Sequence, residues 1–119
     1  MSDKFRAFYD KQLAILAEMD TERLINEQYT SDAQLLNINH PHVVEGTAAL
    51  KEHFKNYLGA LGYIKLLSTD KYLESGDSLI FEATVETAGG IAKVYDTFVM
   101  RDGRIWRHFS GLLGFTPKS

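Results

Sequence analysis

Within Val94–Leu112, Asp96, His108 and Ser110 place a carboxylate, an imidazole and a hydroxyl in a segment otherwise rich in β-branched, aromatic and aliphatic side chains. An aspartate beside a histidine does acid-base work. The carboxylate orients the ring, and an imidazole, whose unperturbed pKa is near 6.5, is the natural proton carrier. Asp96 and His108 are therefore the candidate catalytic pair. The bland alternative is a buried pair that satisfies its own hydrogen bonds and stabilises a sheet. Ser110 has no activating partner other than His108, so it reads as a small residue that leaves room in a pocket.

The backbone decides whether the pair can meet. Two strand-like runs flank Arg101-Asp102-Gly103, and Asp-Gly between such runs marks a hairpin because Gly supplies the positive φ the turn needs. Two registers are possible. With Asp102 and Gly103 alone in the loop, Arg101 pairs with Arg104 and Asp96 lies opposite Phe109. With a type I turn closed by a Gly103 bulge, Met100 pairs with Arg104 and Asp96 lies opposite His108. The second is the expected one. Alternation then puts Val94, Asp96, Phe98, Met100, Trp106, His108 and Ser110 on one face, a pocket wall.

At 119 residues, 45% hydrophobic and 24% charged, the chain has the size and composition of one globular domain over residues 1–119. No apolar run approaches the roughly 20 residues of a membrane helix, and the opening MSDKFRAFYDK is charged throughout, unlike a secretory signal. A cytoplasmic protein with no membrane partner is expected. The lack of cysteine removes disulfides, thiolate nucleophiles and cysteine metal sites. A net charge of -3, with Lys and Arg scattered singly, gives no basic stripe, so no nucleic-acid partner is expected.

Ahead of the hairpin the periodicity predicts three helices. The first runs from an Asp3 cap to about Met19, with Phe5, Phe8, Tyr9, Leu13 and Leu16 on its apolar side and Gln12 as a gap. The second is capped by Asp20 or Thr21 and buries Leu24, Ile25 and Tyr29 before Ser31-Asp32 breaks the pattern. The third starts at Gly46-Thr47 with Thr47 as the cap, buries Leu50, Phe54, Tyr57, Leu58 and Leu61, and ends at Gly59 and Gly62. A short strand, Ala33–Asn39, precedes it. Strands at Tyr63–Leu73 and Leu79–Thr87 then lead into the hairpin. Helices first and strands afterwards is an α+β pattern: a curved antiparallel sheet with its concave face under the helices, and a ligand-sized gap between them.

Tyr29-Thr-Ser-Asp-Ala33, the strand after it, Gly46-Thr-Ala-Ala-Leu50 and the closing Asp96-x-Phe-x-Met-x-Asp-Gly-Arg-Ile105 resemble the superfamily of nuclear transport factor 2, SnoaL-like cyclases and ketosteroid isomerases. The resemblance spans nearly the whole chain. It implies a cystatin-like cone, three helices packed on a curved antiparallel sheet, with a pocket inside and often a homodimer through the convex face. One such cone hosts isomerases, dehydratases, hydrolases, cyclases and non-catalytic binders. Steroid isomerases pair an aspartate base with a tyrosine and a protonated aspartate. Asp96 falls at the protonated aspartate, but the base position falls on Asn37, and the tyrosine position near Leu13 with Tyr9 a turn away. Steroid isomerase activity is therefore not expected.

What remains is cofactor-independent isomerisation, dehydration or hydrolysis of a small apolar ligand at Asp96 and His108. Tyr9, Leu13, Asn37, Asn39, Phe54, Tyr57, Phe98, Trp106 and Ser110 are the candidate ligand contacts. The competing reading is a binding or dimerisation module, and a weaker one a protein-partner adaptor. His40-Pro-His42 with His53 suggests a metal only superficially. Two histidines straddling a proline suit a polar loop, and His53 lies beside charged helix positions, so no metal is expected. Tyr95, Thr97, Val99, Ile105, Arg107 and Phe109 form the opposite hairpin face, which no helix covers and which a second copy of the chain is expected to meet.

Overall fold

The computed structural model describes residues 4–118. Helix α1 (Arg6–Ala17) and helix α2 (Thr21–Gln28) lead into strand β1 (Tyr29–Asn37), which pairs with a two-residue strand β2 (Val44–Glu45). Helix α3 (Thr47–Leu61) follows, then β3 (Ile64–Ser75), β4 (Ser78–Thr87), β5 (Gly90–Arg101) and β6 (Arg104–Pro117). The six strands form one curved mixed sheet in the order β2-β1-β6-β5-β4-β3. Contrary to the expected all-antiparallel sheet, β1 runs parallel to β6.

Local chemistry sets most boundaries. Asp20 caps α2 by accepting from the Arg23 backbone N–H at 3.0 Å. Gly46, at φ 89°, holds the cap position of α3 in place of Thr47, which is the first helical residue. Gly59 lies inside α3, and Gly62, at φ 79°, ends it. The proposed Asp3 cap lies outside the described residues, and α1 stops at Ala17 just before Met19 turns left-handed at φ 60°. Tyr29 opens β1, so Ser31 and Asp32 are strand residues where a break was expected.

The helices cover one face of the sheet. Tyr9 and Ile15 of α1, Leu24 and Ile25 of α2, and Leu50 and Phe54 of α3 pack with Ala33, Leu35, Phe81, Phe98, Met100 and Ile105 in one buried cluster. Burial of such side chains contributes roughly 1.5–3 kcal/mol each.

The closing hairpin adopts neither anticipated register. Asp102 and Gly103 form a two-residue turn with φ of 55° and 79°, which pairs Arg101 with Arg104 and Met100 with Ile105. Trp106 is then an extra residue on β6: the next pairs are Val99 with Arg107, Phe98 with His108, and Asp96 with Ser110. Asp96 thus faces Ser110, and His108 is its diagonal neighbour. Without the bulge His108 would point outward, since a one-residue slip exchanges the two faces of a strand.

The tight turn and the bulge correct one further expectation each. Ile105, assigned to the outer face, is fully buried in the core. Trp106, assigned to the pocket, lies outside the cavity wall, with the guanidinium of Arg107 3.8 Å from its ring and that of Arg101 at 4.9 Å.

Candidate functional site

Between the helices and the concave side of the sheet lies a cavity of about 400 Å³. Its walls are mostly aliphatic and aromatic, supplied by α1, α3, β1 and all four strands from β3 to β6. Asp96 and His108 project into it from adjacent strands, with Asp96 Oδ1 2.6 Å from His108 Nε2. The imidazole side chain is 7% exposed and the carboxylate 16%. Burial raises the Asp96 pKa above the ordinary carboxylate range. The hydrogen bond and charge interaction with His108 only partly offset that.

His108 is engaged on both sides. Its Nδ1 lies 2.9 Å from the Tyr29 hydroxyl, which also receives the Gln12 side-chain amide at 3.2 Å. Phe98 meets the imidazole edge-to-face at 4.7 Å between ring centres. Desolvation drives the Tyr29 pKa up, so its proton stays on. Both ring nitrogens of the histidine thus have side-chain partners within the protein. Among the described residues, Asp96 Oδ2 has no hydrogen-bond partner, and this atom is what the dyad offers to the cavity.

A second polar group sits directly across the strands. The Asn39 backbone N–H donates to Asn37 Oδ1 at 2.7 Å, which fixes the amide so that Asn37 Nδ2 donates to Ser110 Oγ at 3.0 Å. The Ser110 oxygen is thereby used as an acceptor, and its hydrogen has no protein acceptor among the described residues. Ser110 pairs with Asp96. A carboxylate and a hydroxyl therefore stand side by side, about 5 Å apart at Cβ for opposed residues.

The family model of the SnoaL-like domain matches residues 5–108. The chain belongs to the SnoaL-like domain family. Among solved structures it is similar to an NTF-2 like protein of unknown function from Burkholderia xenovorans LB400, with TM-score 0.75 and 15% identity over 98% of this chain and 86% of that one. An NTF2-like protein from Anabaena variabilis ATCC 29413 gives TM-score 0.75 and 17% identity over 95% and 87%. The epoxide hydrolase/cyclase-like enzyme SalBIII, of pyran ring formation in the polyether salinomycin, gives 0.74 and 20% over 94% of each chain. No curated protein matches. At these identities the likeness to solved structures carries the fold and not a reaction.

In this SnoaL-like cone Leu13, Asn37, Asn39, Phe54, Tyr57, Phe98 and Ser110 all line the cavity beside Asp96 and His108. Tyr9 does not. It is completely buried behind the wall, its hydroxyl 2.5 Å from Thr69 Oγ1 and its ring 4.6 Å from that of Phe81. The residues behind His108, Gln12, Gln28 and Tyr29, were missed as such. Gln12 carried the readable signal, as the one polar side chain interrupting the apolar stripe of α1.

His53 lines the cavity, 5.2 Å from the His40 ring, and burial lowers its pKa, with charge interactions from His40 and His108 adding to the effect. Among the described residues no group of three or more His, Asp or Glu side chains is arranged to hold a metal, and no helix is long and apolar enough to cross a membrane.

Proposed function

We propose that this SnoaL-like domain binds a small, uncharged, largely apolar molecule bearing one or two oxygens, and that Asp96 moves a proton on it without a cofactor. The observation that carries the reading is Asp96 Oδ2: a carboxylate oxygen of raised basicity, with no protein partner among the described residues, in a cavity whose wall includes no lysine or arginine. A raised pKa makes the carboxylate a stronger base, and the absence of cations in the wall disfavours phosphates and carboxylates as ligands. Ser110 is suited to donate its free hydrogen to a ligand oxygen while Oδ2 takes a proton from the neighbouring carbon. Isomerisation and dehydration both begin with that step. Hydrolysis would use the same carboxylate on a water molecule.

The test uses simple probes. Cyclic ketones such as 1-tetralone, incubated with the protein in deuterium oxide, are expected to exchange the hydrogens next to the carbonyl faster than in buffer, followed by proton NMR. Binding without any exchange across a panel of such ketones would favour the non-catalytic binding module of the same fold.

We further propose a second copy of the chain as the partner of the convex sheet face. Leu73, Ile80, Thr97, Phe109 and Leu36 form a row in which each residue is paired with the next across neighbouring strands. Leu73 is 67% exposed, Ile80 46% and Phe109 37%, a contiguous apolar surface of the kind that self-association covers. Sedimentation is expected to show a dimer that Ile80→Lys converts to a folded monomer. A monomeric parent protein at the same concentration would rule the proposal out.

A further inference from the structure

We infer that Gln28, Gln12 and Tyr29 are positioning residues: a one-way chain of hydrogen bonds, anchored on the Phe8 carbonyl, fixes the His108 tautomer and keeps Asp96 an acceptor. The inference rests on the reading of Asp96 as the base and adds what sets its state.

The direction follows from donor and acceptor bookkeeping. A backbone carbonyl only accepts, so the Gln28 side-chain nitrogen must face Phe8 O, at 3.4 Å. The same nitrogen lies 3.2 Å from Gln12 Oε1, which places the Gln12 amide nitrogen on the far side, 3.2 Å from the Tyr29 hydroxyl oxygen. Tyr29 therefore accepts from Gln12. Its own hydrogen then has one acceptor within reach, His108 Nδ1 at 2.9 Å. A ring nitrogen that accepts carries no proton, so the proton of the imidazole is on Nε2, which donates to Asp96 Oδ1 at 2.6 Å.

The alternatives each leave a buried hydrogen without a partner. Were Nδ1 protonated, in the other neutral tautomer or in the cation, it would donate to Tyr29, and the tyrosine hydrogen would have no acceptor among the described residues. Gln12 is 2% exposed, Gln28 1% and Tyr29 2%, so solvent does not rescue it. The consequence bears on Oδ2. Because Oδ1 already faces an N–H, a proton captured at Oδ2 has no path into the histidine and stays on the side of the ligand.

The tautomer is read directly by long-range proton–nitrogen NMR correlations of the 15N-labelled full chain near neutral pH, with His108 assigned by its loss in His108→Asn. The parent protein is expected to show Nε2 protonated and Nδ1 bare. Gln12→Glu keeps the size but turns the donor into an acceptor. The Tyr29 hydrogen then swings to Glu, its oxygen faces the imidazole, and Nδ1 is expected to gain a proton. Gln12→Met removes the donor but offers the Tyr29 hydrogen no comparable new acceptor, so there Nδ1 is expected to stay bare.

A protonated Nδ1 in the parent protein overturns the inference, and so does a folded Gln12→Glu variant whose Nδ1 stays bare at a pH where the new carboxylate is ionised. If that variant fails to fold, the parent spectrum together with Tyr29→Phe, in which the preference for Nε2 should relax, decides the matter. Ketone exchange that ignores Asp96 would instead overturn the base assignment and leave the tautomer result standing.

Discussion

Asparagine in place of Asp96 is expected to lower the rate of ketone exchange by about 10²–10⁴-fold, the usual contribution of a positioned acid or base, while making the folded protein more stable at neutral pH. The two halves have one cause. An amide has the size of the carboxylate and still offers an oxygen to His108 Nε2–H, so the geometry of the dyad survives, but the carboxylate oxygen that takes the proton is gone.

Stability moves the other way because burial makes Asp96 hold its proton to higher pH in the folded chain than in the unfolded one. Below the ordinary carboxylate range both forms are protonated and there is no penalty. As pH rises through that range the unfolded chain ionises first. Stability then falls until the raised folded value is passed, after which the loss is constant. The gain of Asp96→Asn over the parent is therefore absent at low pH, grows across that window and levels off above it. Thermal melts of both proteins at a series of pH values measure this without any substrate. Unchanged exchange in Asp96→Asn would remove Asp96 from the chemistry, whatever the melts show.

The order of elements was legible in the sequence because it rests on periodicity: apolar residues every three to four positions in the helices, alternation in β4 and β5, and Asp102-Gly103 at the turn. Pairing was legible only in part. The parallel contact of β1 with β6 joins segments far apart in the chain, and nothing local in Ala33–Asn37 states which partner it takes.

The single residue that decides the inner face of β6 was invisible for a related reason. Trp106 bulges where it is set between Arg101 and Arg107, and its own type suits any strand position. Asp96 and His108 nevertheless share the inner face, because the tight turn and the bulge together shift the register by two residues from the expected one, and a shift of two preserves parity. The hydrogen-bond chain behind His108 was hidden altogether. Gln12 and Tyr29 lie seventeen residues apart, and His108 a further 79. Only the polar interruption at Gln12 hinted that α1 buries something other than hydrocarbon.

Tryptophan in place of Ala92 is expected to cost at least about 100-fold in affinity for a probe such as 2-naphthol, a loss of roughly 2.7 kcal/mol, while leaving the dyad in place. Ala92 is 7% exposed and belongs to the apolar part of the wall, opposite Val85 on one side and Phe115 on the other. It precedes Asp96 by four residues on β5, on the same inner face and about 13 Å away at the usual rise of a strand.

The reason to expect so large an effect is the cavity itself. Taken as dry, a void of about 400 Å³ would cost on the order of 10 kcal/mol at the slope measured for cavities left in cores, as much as a whole domain's stability. The space is therefore filled in solution by water or by a guest. An indole that fills it from the protein side restores dispersion contacts and evicts either one. The Ala92→Trp variant should accordingly melt at or above the temperature of the parent, with its His108 nitrogen signals unmoved, and bind 2-naphthol weakly in a calorimetric titration. A variant that folds, carries the indole in the cavity and still binds the probe as tightly as the parent would place the ligand elsewhere, and with it the claim that Asp96 meets a guest inside the cone would fall.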